Sequence, residues 1–204
     1  MEFQQVNPAT GEVGQGYENL TDDELRAALE SADDAFRVWR MRTYEGRAPV
    51  LKKAAEILRA REGELADLMA LEMGKPLAQG VGEVEKCAWA CEFYAEKAGE
   101  FLADEPVETD AQKSYVHYEP LGIVLAIMPW NFPFWQLFRF GAPALMAGNG
   151  ILLKHAPNVP ECARAIASVL QEALENCGEP TSLVQNLFIS IDQTAAAIAA
   201  REVK

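Results

Sequence analysis

Three short apolar runs, at residues 122–128, 150–154 and 186–189, are separated by stretches whose apolar residues recur at helical spacing. Runs this short, without polar alternation, read as strands buried on both faces. A helical stretch between each pair makes the order β-α-β-α-β, which implies a parallel sheet with helices on its faces. Before residue 121 the texture differs and is dominated by helical patterns. The expected fold class is therefore α/β: N-terminal helices followed by part of a doubly wound parallel sheet.

The helices can be placed from their punctuation. Asn7, Pro8, Thr10 and Gly11 supply turn chemistry near the start. Thr21, with Glu24 three residues on, forms a capping box, and Leu25, Leu29, Ala32, Phe36 and Trp39 mark one buried face. A second helix is expected over 47–73, stopped by Gly74 and Pro76. A third is expected over 79–102, with Val81, Val84, Ala88, Cys91 and Ala95 on one stripe. Residues 104–110 are acidic and contain Pro106, as in a loop or short edge strand, and 113–118 alternate as a strand does. Residues 134–147 are apolar nearly all round, which predicts a buried helix kinked at Pro143. Asn158, with Glu161 three residues on, is the expected cap of the next helix, whose face is Ile166, Val169, Ala173 and Cys177 and whose stop is Gly178. Asp192 is the expected cap of a last helix that runs into Lys204.

Composition excludes several functions. Half of the 204 residues are hydrophobic, enough for a sizeable core, and the formal charge is −13. Nucleic acid and anionic membrane surfaces call for basic patches, so neither is an expected partner. No apolar run approaches the roughly eighteen residues of a membrane span. The start, Met1-Glu2-Phe3, lacks the basic and apolar regions of a secretory signal. Cys87, Cys91, Cys162 and Cys177 include no Cys-x-x-Cys pair, which fits a reduced, cytoplasmic setting. Cys87 and Cys91 stand four apart, as metal ligands on a helix can, but they have no companions and read as small core residues. His117 and His155 are too isolated to suggest a metal centre.

The chemistry concentrates after the first parallel strand, in Met128-Pro129-Trp130-Asn131-Phe132-Pro133. Ligands of open α/β sheets bind at the carboxyl ends of strands. Asn131 can be an ordinary turn asparagine. Yet prolines fix the backbone on both sides of it, and a rigid amide donor in a dry site suits a developing oxyanion. Arg139, eight residues on, is the one charge in an apolar helix. It either reaches a rim or a structural carboxylate, or it clamps a substrate carboxylate with its planar fork. Lys154 ends the second parallel strand and is either a solvated boundary residue or a ligand contact. Glu72-Met73-Gly74-Lys75-Pro76 reads as helix punctuation, with no role for Glu72.

The Pro-Trp-Asn-Phe-Pro segment resembles the corresponding motif of the aldehyde dehydrogenase superfamily. The likeness extends from Asn7-Pro8-Ala9-Thr10-Gly11 to Gln185-Asn186-Leu187-Phe188. Arg139 and the segment 153–160 look like the succinate-semialdehyde dehydrogenase branch, where an arginine stands eight residues after the asparagine. The resemblance implies a Rossmann-like sheet that binds NAD or NADP. It puts Met128, Pro129, Trp130 and Asn131, with Lys154, His155, Ala156 and Pro157, against the cofactor. It makes Asn131 the catalytic oxyanion donor and Arg139 the clamp for a small aldehyde carrying a carboxylate. Many relatives have glutamate where Pro157 stands, which leaves NAD against NADP open. No Gly-x-Gly-x-x-Gly is present, and this family does not rely on one.

In the family a cysteine attacks the aldehyde and a glutamate activates water. Both lie beyond the segment that Lys204 closes, and none of the four cysteines matches the nucleophile. The expected division is 1–103 as a helical part of the cofactor-binding domain, 104–120 as an oligomerisation hairpin segment, and 121–204 as a partial cofactor-binding sheet, with no catalytic domain. The reading is an N-terminal portion that is inactive alone and homo-oligomeric in full-length form. The alternative is a non-catalytic subunit that pairs with full-length homologues. Three strands of a larger sheet leave an edge open, so the isolated chain is expected to be unstable or to associate.

Overall fold

The computed structural model describes residues 3–204. Strands β1 (Phe3–Val6) and β2 (Val13–Tyr17) form an antiparallel hairpin about the expected turn. Helices α1 (Asp22–Trp39), α2 (Tyr44–Ala60), α3 (Glu62–Met73) and α4 (Leu77–Phe101) follow. A small ribbon pairs β3 (Glu105–Pro106) with β4 (Tyr115–Val116). Then come β5 (Ile123–Met128), α5 (Pro133–Met146), β6 (Gly150–His155), α6 (Pro160–Asn176), β7 (Val184–Asn186) and α7 (Ile191–Ala199). The sheet order is β5-β6-β7, all parallel, with Ile123 opposite Gly150 and Met128 opposite His155. Helix α1 lies across one face. Helices α5 and α6 cover the other and are themselves covered by α2, α3 and α4.

The α/β class and the parallel sheet are as the sequence implies, and so is α1. Thr21 accepts from the Glu24 N–H, Glu24 returns the bond, and Leu25, Leu29, Ala32, Phe36 and Trp39 are buried. Other expectations need correction. The 47–73 helix is two helices, broken at Arg61 (φ −107°, ψ 11°). The apolar stripe stays in phase through the break, from Leu51, Ala54 and Leu58 to Leu65 and Met69, so periodicity cannot register it. On α4, Val81 is exposed and the buried stripe runs through Gly80, Glu83, Val84 and Cys87. Gly74 does end α3, in the left-handed conformation at φ 71°.

The third strand is 184–186 rather than 186–189. Its Gln185 is a polar residue inside the ladder because its amide donates to the Ala28 and Ser182 carbonyls. Asn158 does not cap α6. The Glu72 carboxylate takes the Glu161 and Cys162 N–H groups, both at 2.8 Å, which leaves Asn158 no donor to serve. Ser190, not Asp192, caps α7, through a reciprocal box with Gln193. Helix α7 stops at Ala199, and Val203 then bridges Ile123 in parallel on the free edge of β5. The expected 113–118 strand shrinks to two exposed residues, since a lone ribbon lacks an apolar face to bury.

Helix α5 is held at both ends by residues distant in sequence. At its start, Glu83 accepts from the Phe134 and Trp135 N–H groups, both at 2.9 Å. At its end, Trp39 Nε1 donates to the Leu145 carbonyl (3.0 Å), Arg47 to Met146 (2.8 Å) and the Asn149 amide to Ala144 (3.2 Å). The Glu83 and Arg47 bonds satisfy helix-end groups that would otherwise be buried bare, and the Leu145 and Ala144 carbonyls also accept from the Gly148 and Asn149 N–H groups. Gly148 makes the Arg47 contact possible: a Cβ there would lie 2.6 Å from the guanidinium, and φ is +95°.

Candidate active site

The carboxyl ends of β5 and β6 lie side by side, Met128 against His155, and the chain leaving each builds one rim of the site. After β5 come Pro129, Trp130, Asn131 and Phe132, all exposed, and Pro133 opens α5. Among the described residues the Asn131 side chain makes no hydrogen bond. Its neighbours, by contrast, are pinned. Lys75 Nζ sits 4.0 Å from the centre of the Phe132 ring. His155 Nε2 donates to the Pro133 carbonyl at 3.1 Å. Glu83 holds the next two N–H groups. An unpartnered amide on a clamped backbone can donate to an incoming oxygen without first breaking a bond.

His155 is buried, with both ring nitrogens engaged: Nδ1 accepts from the Ala156 N–H at 2.9 Å. Its side chain ties the two strand-end loops together and has no nitrogen left for a ligand. Burial pushes its pKa from 6.5 down to about 4, the Pro133 bond opposing and neighbouring Lys154 adding to the fall. An unfolded histidine takes its proton near pH 6.5 and the folded one resists until about 4. The neutral ring's contribution is thus complete above pH 6.5 and is lost as pH falls toward 4. Over that window the parent is expected to lose on the order of 3 kcal/mol through this group. In His155→Gln the slope of stability against pH, measured by urea melts, should flatten there. Exposed His117 acts in the opposite sense. Its bond to Asp104 raises its pKa from 6.5, so its smaller contribution is present below 6.5 and fades as pH rises.

Lys154 is half-buried, its Nζ 5.6 Å from the centre of the Phe3 ring. Desolvation lowers its pKa, and among the described residues no carboxylate pairs with it. The β1–β2 hairpin closes this side: Phe3 and Tyr17 pack on Phe188, and the Gln4 N–H donates to the Pro157 carbonyl. Ala156 and Pro157 are partly buried in that loop. Such a cation, desolvated and unpaired, fits an anionic or hydroxyl-bearing group.

Arg139 is exposed on α5, and among the described residues it makes no ion pair, so its desolvation cost never arises. Trp135 is one turn earlier on the same helix face, with Lys86 Nζ 3.9 Å from its ring centre. Gln79, Gly82, Glu83, Lys86, Phe132 and Trp135 line a crevice of about 270 Å³ here. A larger hollow of about 520 Å³ lies between α3 and α6, where Arg61–Glu64 and Arg164–Glu161 are already paired. Its charged groups are thus already engaged with one another.

None of the cysteines suits nucleophilic work. Cys87, Cys91 and Cys162 are fully buried, and burial raises all three thiols. Cys177 follows α6, at the end away from Asn131, and burial raises it too. Glu72, Lys75 and Glu83 carry roles that the sequence reading missed. Their signal was phase: Glu83 falls in the stripe with Gly80, Val84 and Cys87, and Glu72 three residues after Met69. A carboxylate on a buried stripe needs donors from another element.

The profile of the aldehyde dehydrogenase family matches residues 1–203. A probable NADP-linked succinate-semialdehyde dehydrogenase of Synechocystis sp. is 53% identical over 184 residues, 90% of this chain and 40% of that protein. An NADP-linked succinate-semialdehyde dehydrogenase of Mycobacterium leprae is 45% identical over 199 residues, 96% and 43% respectively. The solved structure of the succinic semialdehyde dehydrogenase of Streptococcus pyogenes, in complex with NADP+, superposes with a TM-score of 0.93 at 38% identity, covering 98% of this chain and 44% of that one. The chain thus spans about two fifths of the length of these relatives. With sequence and fold agreeing from the first hairpin to the bridge at Val203, the chain belongs to the aldehyde dehydrogenase family.

Proposed function

We propose that this chain is the N-terminal part of an NAD(P)-dependent aldehyde dehydrogenase that oxidises a small carboxylated aldehyde, such as succinate semialdehyde, to the acid. The observation that carries the reading is the unpartnered Asn131 amide, held on a clamped loop two helical turns before the unpaired Arg139. Asn131 Nδ2 donates to the aldehyde oxygen as that oxygen gains charge. Arg139 binds the distal carboxylate and sets the substrate's reach. Lys154 holds the cofactor's ribose, and the β5 and β6 loops form the wall it lies against. The bound nicotinamide supplies the hydride acceptor. The nucleophile and the general base come from outside residues 1–204, because all four thiols here are raised and none faces Asn131. The relatives named above are NADP-linked, which favours NADP.

The test is NAD(P)H formation from succinate semialdehyde and from an uncharged aldehyde of similar length. In the protein that carries this segment, Arg139→Leu is expected to raise KM for the carboxylated aldehyde by roughly tenfold to a hundredfold, the value of a charge-assisted bidentate contact. The uncharged aldehyde should be almost unaffected. Equal losses on both substrates would remove Arg139 from the clamp. Residues 1–204 alone should give no turnover. Turnover that survives rigorous purification would make one of the four cysteines a nucleophile and end this division of the site.

A further inference from the structure

Phe132 is 48% exposed, so burial alone does not fix the residue that follows Asn131. What holds it is Lys75, whose ammonium lies 4.0 Å from the ring centre. Lys75 comes from the turn between α3 and α4, and its side chain is 4% exposed. It also pairs with Glu83, whose side chain is 1% exposed. One Glu83 oxygen meets Lys75, and the other accepts from the Phe134 and Trp135 N–H groups at 2.9 Å each. The carboxylate is thus saturated by a cation and two helix-start donors, the condition under which a buried charge persists. Two electrostatic consequences follow for the adjoining loop. The start of α5 is already spent on Glu83, so it is not available to an oxyanion. The negative charge of Glu83 is neutralised by Lys75, so it does not oppose charge developing beside Asn131.

Glu72 is a built-in comparison. It caps α6 with two bonds of 2.8 Å, the same chemistry, but no cation links it to a loop aromatic. The Lys75–Glu83 pair grips the three residues Phe132, Phe134 and Trp135, immediately after Asn131 where its loop enters α5. We propose that Lys75 and Glu83 are positioning residues, which fix the direction of the Asn131 amide by clamping the chain that leaves it, Lys75 through the Phe132 ring and Glu83 through the Phe134 and Trp135 N–H groups. The inference rests on the reading of Asn131 as the oxyanion donor.

The experiment is nitrogen-15 NMR on the full 204-residue chain, following the Asn131 side-chain amide and the backbone amides of Phe134 and Trp135. Lys75→Met and Glu83→Ala are expected to shift the Asn131 amide resonances and to speed exchange at Phe134 and Trp135 by about tenfold. Glu83→Gln keeps one acceptor oxygen and should restore most of the exchange protection. Glu72→Gln should disturb the Glu161 and Cys162 amides and leave Asn131 alone. Asn131 resonances that stay put in both Lys75→Met and Glu83→Gln would overturn the proposal. Those two substitutions conserve volume, so they decide the matter if Glu83→Ala fails to fold. The readout needs no turnover. If Asn131 is not the oxyanion donor, the shifts persist while Asn131→Ala leaves turnover intact, and the two failures are told apart.

Discussion

Asn131→Ala is expected to lower kcat by about 10²–10³ with little change in KM, the loss seen when one oxyanion donor is removed from a preorganised site. The size follows from the geometry. The side chain has no protein partner to lose, so truncation leaves no orphaned group in the ground state. The cost falls on the transition state, where the oxygen carries charge and one donor is missing. Asn131→Asp should be at least as damaging, because a carboxylate repels the same charge. Steady-state rates of the protein that carries this segment check this, with melting curves to show that the fold is retained. A fall in kcat/KM that came wholly from KM would mean that Asn131 binds substrate and transition state alike.

Trp39→Ala is expected to produce the largest loss of stability, about 3–5 kcal/mol. The indole is fully buried at the end of α1, and its Nε1 donates to the Leu145 carbonyl at 3.0 Å. Truncation opens a cavity and also removes one of that carbonyl's two donors, the other being the Gly148 N–H at 2.9 Å. Trp39→Phe separates the two effects. It keeps most of the apolar area and loses the bond, for about 1–2 kcal/mol. For a chain of this size each kcal/mol moves the midpoint by roughly 2–4 °C. Urea melts of the two variants would decide it, and equal midpoints for Trp39→Phe and the parent would mean that the Gly148 N–H alone satisfies the carbonyl.

The elements that the sequence made legible were those whose determinants are local. The Thr21–Glu24 box, the Gly74 stop and the first two apolar runs each sit within a few residues of what they control. Asn131, Arg139 and Lys154, the proposed site residues, stand out in the sequence because their types are out of place: an amide between prolines, a charge on an apolar helix, a lysine ending a buried strand. The misses have different causes. The break at Arg61 preserves the apolar phase, so nothing in the pattern changes there. Gln185 fell outside the expected third strand, 186–189, because its acceptors belong to α1 and the preceding turn. Asn158 looked like a cap because the real cap, Glu72, is far away in the chain. The Ser190–Gln193 box was local and readable, and it was passed over for Asp192.

The two ends of α5 also bear on how the chain reaches its fold. Its caps reach across 51 residues to Glu83, 99 to Arg47 and 106 to Trp39. Glu72 meets Cys162 across 90. Helices completed by such distant partners cannot be finished by local collapse, and each closure must first offset the entropy of a long loop. Refolding is therefore expected in roughly the milliseconds-to-seconds range of high-contact-order domains rather than in microseconds. During synthesis, α1 to α4 emerge with their capping groups unused and wait for the strands that follow. By the length of the loop it closes, the start of α5 gains its Glu83 clamp before the start of α6 gains Glu72. Pulse-labelled hydrogen exchange should then find the Phe134 and Trp135 amides protected before those of Glu161 and Cys162.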